Sequence, residues 1–301
     1  MLNALTIDVE DYFQVDALSS AISRSDWEAW PRRVEANTDR LLRLFAEYDT
    51  PATFFVLGWI AERHPEMVRR IHAAGHEIAS HGYSHQRVYR QEPSVFKAEA
   101  AASKELLEDI TGEAVTGYRA ASYSITPASR WALDALAELG YTWDSSLFPI
   151  RHDVYGMPGT PRQPYRLTTD EGHELIEFPL STTRLLGQTI PIAGGGYFRL
   201  FPFWFSRWAL GACNQRNQPF IFYLHPWEVD PEQPRVPGVG WKSHFRHYNN
   251  LQRTYPRLER LLKTFQFGTV SQVLEQQGLS PRPSGQPAGS AGQSEAMADG
   301  V

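Results

Sequence analysis

The chain has a single cysteine, Cys213, in 301 residues, so no disulfide can form within it. Cys213 stands in an apolar helical stretch and reads as an inert buried thiol. Long hydrophobic runs are missing as well. No stretch approaches the roughly 18 apolar residues that would suggest a membrane-spanning helix. Positive charge is not in excess: 29 Lys and Arg face 34 Asp and Glu, the net charge is -5 and the pI is near 6.1. With no basic cluster standing out, that balance argues against nucleic acid as a partner. The opening residues, Met1-Leu2-Asn3-Ala4-Leu5-Thr6-Ile7-Asp8, lack both a basic n-region and a long apolar h-region. They run straight into what reads as a core strand, and the expectation is a cytoplasmic protein with no transmembrane segment. Gly194-Gly195-Gly196 lacks the Gly-Lys-Ser/Thr of a phosphate loop, so it reads as a flexible loop and not as a nucleotide site.

What is present is ordinary in bulk and ordered in sequence. A content of 42% hydrophobic residues is ample for a sizeable core. Leu5-Thr6-Ile7 opens a strand that ends in the acidic cluster Asp8-Val9-Glu10-Asp11. Val34 to Tyr48 carries the helical stripe Leu41, Leu42, Leu44 and Phe45. Ala52 to Leu57 is a compact apolar strand. Trp59 to Ala74 reads as one helix closed by Gly75, and His76 to Ala79 as the next strand. Ser94 to Ile110 is a helix ending at Gly112. Val115 to Tyr118 is strand-like. Thr126-Pro127 caps a helix over Ala128 to Leu139, and Tyr141-Thr142-Trp143 is a strand ending at Asp144. The Pro- and Gly-rich run from Phe148 to Arg166 reads as a long surface loop. Leu175 to Leu180 is a strand, Phe203 to Asn214 an aromatic helix, and Pro219 to Leu224 a strongly apolar strand leading into His225. Tyr255 to Thr264 and Thr269 to Gln277 close the folded part. From Ser280 the composition collapses to Pro, Gly, Ser, Ala and Gln, which predicts a disordered tail over 280–301.

Strands alternating with helices imply a parallel sheet with helices outside, open or closed into a barrel. The chemistry-bearing residues follow one rule. Asp8, His81, Arg119, Asp144 and His225 each stand at or just past the C-terminal end of a different predicted strand, the rim where α/β barrels carry their catalytic side chains. His81 and His85 are four apart, with Gly82 between them to permit a tight turn, so both imidazoles can reach one divalent ion. Three carboxylates at the end of the first strand are costly to bring together unless a cation or a proton sits among them.

Taken together the motifs resemble the polysaccharide deacetylase family, also called the NodB homology domain or carbohydrate esterase family 4. The resemblance covers roughly residues 3 to 275. In order it rests on Thr6-Ile7-Asp8-Val9-Glu10-Asp11, His81-Gly82-Tyr83-Ser84-His85, Arg119-Ala120-Ala121-Ser122-Tyr123, Trp143-Asp144-Ser145-Ser146 and Leu224-His225. The chain looks most similar to a subgroup associated with bacterial exopolysaccharide clusters, which opens with Asp-Val-Glu-Asp and carries an extra C-terminal region. The resemblance implies one α/β domain over 1–279, a distorted (β/α)7-type barrel, with the subgroup extension from about residue 230.

It also implies a reaction, the hydrolysis of N-acetyl groups on amino sugars of a polysaccharide or its precursor. A divalent metal, zinc first with cobalt, manganese, nickel or iron as alternatives, would sit on His81, His85 and a carboxylate. The family has two adjacent aspartates at the acidic motif, and here Val9 follows Asp8. The metal carboxylate is therefore Glu10 or Asp11, and a strand period of two favours Glu10. Asp8 would be the base, oriented by Arg119. The Tyr123 N–H would be an oxyanion donor, and His225 an acid oriented by Asp144. Tyr123, Leu224 and Trp227 would bind substrate, with Tyr12 and Phe148 as further aromatic surfaces. The family also has proline before the tyrosine of the arginine motif, where this chain has Ser122. Two other functions fit the same residues: a C–N hydrolase of a small amide such as allantoin, and a carbohydrate-binding module without catalysis.

Overall fold

A computed structural model describes residues 1–152, 155–185 and 187–280. The expected disordered tail, Ser280 apart, lies outside the described residues.

The chain runs β1 (Leu2–Val9), α1 (Val34–Glu47), β2 (Thr53–Val56), α2 (Gly58–Arg63), α3 (Pro65–Ala73), β3 (Glu77–Ser80), α4 (Pro93–Thr111), β4 (Gly117–Tyr118), α5 (Trp131–Glu138) and β5 (Trp143–Asp144). It continues with β6 (Tyr165–Thr168), β7 (Glu174–Glu177), β8 (Thr182–Leu185), β9 (Gln188–Pro191), α6 (Gly195–Leu200), α7 (Phe203–Asn214), β10 (Ile221–Leu224), α8 (Trp241–Tyr248), α9 (Leu251–Leu262), β11 (Gln266–Gly268) and α10 (Val270–Gln276). The main sheet has the order β10-β1-β2-β3-β4-β5-β7-β6, with β11 added beside the first half of β1. Every pairing from β10 to β7 is parallel, and only β6 is antiparallel. Seven parallel strands wrapped by helices form the distorted barrel that the alternation predicts.

Side-chain alternation divides β1 cleanly. Leu5, Ile7 and Val9 face the helical layer and join the main hydrophobic core. Ala4, Thr6 and Asp8 face the barrel interior, as the two-residue strand period requires. The interior is filled low down by Ala4, Phe55, Ala79, Trp143, Ile176 and Ile221, against Val270, Val273 and Leu274 of α10. α10 therefore covers one end of the barrel. Trp143 fits because Gly117 faces it. A Cβ on Gly117 would lie 1.9 Å from the indole.

Three readings of the sequence are corrected. The expected helix from Trp59 to Ala74 is two helices, broken at His64 (φ -130, ψ 50). Pro65 has no N–H to continue the first helix and disfavours helical backbone at the residue before it. The segment from Phe148 is not a surface loop throughout: Phe148, Ile150 and Met157 are buried. Proline and glycine there mark irregular backbone, not exposure, and the bond from the Met157 N–H to the Phe148 carbonyl folds the segment back on itself. Nor is the triple glycine a free loop, since Gly195 begins α6. A Cβ at Gly194 or Gly195 would lie 2.2 Å from the Tyr223 ring or 2.0 Å from the Glu228 carboxylate. Only glycine allows that approach.

No helix among the described residues is long and apolar enough to cross a membrane.

Candidate active site

The strand ends β1, β3, β4, β5 and β10 carry Asp8, His81, Arg119, Asp144 and His225 to the same end of the barrel. A cavity of about 180 Å³ opens there, lined by Asp8, Glu10, His81, His85, Tyr123 and His225 among others. A larger cavity of about 440 Å³, lined by His76, Glu77 and Thr269, contains none of these residues.

Arg119 is the hub. It is fully buried, and its guanidinium donates to Asp8 Oδ1 (2.6 Å), Thr6 Oγ1 (2.8 Å), Ser145 Oγ (3.0 Å) and the Ser145 carbonyl (3.2 Å). Its plane lies 3.9 Å from the Phe55 ring. A buried charge so fully hydrogen-bonded is held in one position. It reads Asp8 on one side while the Tyr123 hydroxyl donates to Asp8 Oδ2 at 3.1 Å on the other.

The two carboxylates that follow Asp8 part company. Asp11 turns away and accepts backbone N–H groups from Tyr12 (2.9 Å), Arg33 (2.6 Å) and Val34 (2.9 Å), capping the entry to α1. Glu10 turns in. Its Oε2 lies 3.0 Å from His85 Nε2 without hydrogen-bond geometry, and Oε1 lies 3.2 Å from His225 Nε2. Burial alone would raise the Glu10 pKa, but His85, His225 and His81 outweigh it and bring it to about 2. His81 Nδ1 lies 2.8 Å from the Arg119 carbonyl. A carbonyl only accepts, so Nδ1 carries the proton and Nε2 is left with its lone pair. Burial also lowers the His81 pKa to about 4, keeping the ring neutral. One ligand atom each from Glu10, His81 and His85 falls within a 4.8 Å cluster. Two imidazoles and a carboxylate, with a buried carboxylate oxygen left without a hydrogen bond, fit a divalent ion of the zinc type.

His225 is held differently from the sequence expectation. Its Nδ1 lies 2.8 Å from Glu228 Oε1, and Glu228 Oε2 accepts from Arg199 Nε at 2.7 Å. Arg199 in turn donates to the backbone carbonyls of Arg246, His247 and Asn249. The ring of His225 also stacks on Trp227 at 5.2 Å and 19°. Burial would lower the His225 pKa, but Glu10, Glu228 and Asp8 together raise it to about 9.

Asp144 does not hold His225. Its oxygens accept the Ser146 N–H (3.0 Å) and hydroxyl (2.7 Å). Burial and the neighbouring Asp144 push the Glu177 pKa well up. Asp144 thus shapes the loop after β5. The Tyr123 N–H is not a free oxyanion donor, because it bonds the Ala120 carbonyl at 3.0 Å. Leu224 does not line the cavity: on β10 the inward position belongs to Tyr223, and Leu224, one residue on, faces the core. Tyr12 and Phe148 are buried and offer no surface to a sugar, whereas Tyr123 and Trp227 reach the cavity wall.

Sequence reasoning missed Glu228, Arg199 and Tyr223. Glu228 had a signal, since an acidic residue three past a strand-end histidine is the capping-box spacing. Arg199, 29 residues away, had none. Ser122 adopts φ +53, a conformation closed to proline, and Tyr123 follows at φ +52. From this backbone the Tyr123 hydroxyl reaches Asp8.

The fold and site define a seven-stranded α/β barrel with a buried histidine- and carboxylate-lined pocket on its C-terminal rim. Residues 26–143 match the family model for polysaccharide deacetylase, and residues 145–275 match a domain of unknown function (DUF3473). The first part of the chain, residues 26–143, is therefore similar to the polysaccharide deacetylase family. The boundary between the matches falls inside one sheet, because β5 pairs with β7 and β1 with β10. The chain is 35% identical to a peptidoglycan deacetylase of Helicobacter pylori over 38% of each chain. It is 32% identical to a chitooligosaccharide deacetylase of a Bradyrhizobium species over 33% of this chain and 43% of the relative. These matches span less than half the length of either relative. The crystal structure of a candidate polysaccharide deacetylase from Mycobacterium smegmatis superposes with a TM-score of 0.61 at 22% identity, over 95% of this chain and 94% of the other, and so shares the fold.

Proposed function

We propose that the protein is a metal-dependent hydrolase that removes N-acetyl groups from amino sugars of a polysaccharide or its precursor. The observation that carries this reading is the convergence of Asp8, the Glu10–His81–His85 cluster and His225 on one cavity wall. A divalent ion on Glu10, His81 and His85, zinc in the first instance, would polarise the acetyl carbonyl and make a bound water more acidic.

The chain's own groups supply the proton traffic. Asp8, held in place by the Arg119 guanidinium and the Tyr123 hydroxyl, accepts the proton from the attacking water. His225 delivers a proton to the departing amine nitrogen, and Glu228 fixes its ring and stabilises its charged form. Water is consumed, acetate and a free amine are the products, and both side chains then return to their starting protonation. Tyr123, Tyr223 and Trp227 offer aromatic surface on which a sugar ring can pack. The role in exopolysaccharide synthesis and the cytoplasmic setting read from the sequence belong to this proposal.

The test is acetate release by the purified protein from acetylated chito-oligosaccharides and peptidoglycan fragments, run beside ring-opening of allantoin to allantoate. Acetate from a saccharide, lost in an Asp8→Asn variant, is expected. Allantoin hydrolysis without saccharide turnover would favour the small-amide reading. Saccharide binding without turnover under added metal would leave only a binding module.

A further inference from the structure

Seven large hydrophobic residues are exposed among the described residues, and five of them are Leu200, Trp204, Trp208, Trp241 and Phe245. They belong to three successive helices, α6, α7 and α8. Trp204 is 68% and Trp241 76% exposed, fractions seldom left to tryptophan on a free surface. On α7, Trp204 and Trp208 are one turn apart on the face opposite buried Phe203, Ser206 and Leu210. On α8, Trp241 and Phe245 are likewise one turn apart.

The aromatic side chains form a continuous band. Tyr197 lies 6.0 Å from Phe201, Phe201 lies 4.9 Å from Phe205, and Phe205 lies 5.6 Å from Trp208 and 6.0 Å from Trp204. Tyr197, Leu200 and Phe245 share a groove of about 390 Å³. That groove shares Asp16, Tyr155 and Tyr223 with the candidate active-site cavity. The band therefore runs from Trp208 to the mouth of the site.

The stretch of chain that carries these helices is also rich in cations. Residues 178–258 contain nine Lys and Arg but three Asp and Glu, in a chain whose net charge is -5. Of the three acids, Glu228 pairs with Arg199 and Asp230 with Arg33. Arg207 on α7 and Lys242 and Arg246 on α8 are exposed and have no ion pair among the described residues. Aromatic side chains interleaved with unpaired cations are the composition of a surface that sits in the headgroup layer of a bilayer. A sugar chain asks instead for coplanar platforms. Here Phe201 and Phe205 meet at 61°, Trp204 and Phe205 at 86°, and Phe205 and Trp208 at 43°.

We propose that the α6–α7–α8 face docks peripherally on an anionic lipid bilayer surface, with the mouth of the candidate site next to the headgroup layer. This holds independently of the deacetylase reading. The test is flotation of the full chain with phosphatidylcholine vesicles, with and without about 30 mol% phosphatidylglycerol, together with tryptophan emission. Expected are flotation and a blue shift with the anionic vesicles only, weakened roughly tenfold in Trp204→Ser/Trp208→Ser and in Arg207→Glu/Lys242→Glu. Turnover of a short soluble substrate should be unchanged in both variants, which separates this proposal from the catalytic one. No flotation at low salt, or equal flotation of wild type and variants, overturns it. Self-association that shields Trp204 and Trp241 from a soluble quencher while vesicles are ignored also overturns it, making the face a contact between copies.

Discussion

His225 Nδ1 and Glu228 Oε1 lie 2.8 Å apart, one turn of backbone from each other, and Arg199 holds the far oxygen of the same carboxylate at 2.7 Å. The carboxylate fixes which ring nitrogen faces Asp8 and Glu10. Glu228→Gln keeps the shape but removes the charge, and should cut kcat on the order of 100-fold with a smaller change in KM. With the charge gone, the raised pKa of His225 falls, so the alkaline limb of the kcat profile moves to lower pH. Asp144→Asn should leave that limb in place. A pH–rate series on the two variants checks both statements.

Glu10→Gln and Asp11→Asn should separate metal binding from folding. Glu10→Gln removes a ligand charge and should lower metal affinity at least about tenfold with little loss of stability. Asp11→Asn cannot accept all three backbone N–H groups equally well and should cost about 1–2 kcal/mol of stability, with metal content unchanged. Elemental analysis and urea unfolding of both proteins decide the matter. Metal lost from Asp11→Asn with Glu10→Gln unaffected would reverse the assignment.

Ser122 sits at φ +53, where an L-residue is strained by about 1–3 kcal/mol. Ser122→Gly should therefore be neutral or slightly stabilising. Ser122→Pro, although it restores the family pattern, forbids this backbone and should displace the Tyr123 hydroxyl from Asp8. Thermal unfolding and kcat/KM report the two effects, and a fully active Ser122→Pro protein would refute the account.

His76 makes folding acid-sensitive away from the site. It is buried, its Nδ1 accepts the Ala52 N–H at 3.1 Å, and burial lowers its pKa to about 4. The unfolded chain thus binds the His76 proton below pH 6.5 and the folded protein binds it only near 4. Stability from this group is present above pH 6.5 and is lost as pH falls towards 4, by about 2 kcal/mol at pH 5. Urea midpoints at pH 7 and pH 5 should differ less in His76→Asn than in the wild type.

Much of this protein was legible in the sequence. The βα alternation determined a parallel sheet, and the position of Asp8, His81, Arg119, Asp144 and His225 at strand ends determined that they share a rim, because parallel strands deliver their C-termini to one side. Glu10, expected inward from the strand period, stands one residue past the end of β1 and reaches the cavity from a turn. What only the tertiary structure decided was which polar groups meet. Asp144 was expected on His225, yet Ser146 occupies it, and the partner is Glu228, anchored by an arginine 29 residues away. Hydrogen-bond partners depend on side-chain direction and on loops that cross between strands, and neither is encoded in spacing. The same holds for Gly194 and Gly195, read as a flexible loop. Their smallness matters only because Tyr223 and Glu228 come from elsewhere in the chain to lie against them.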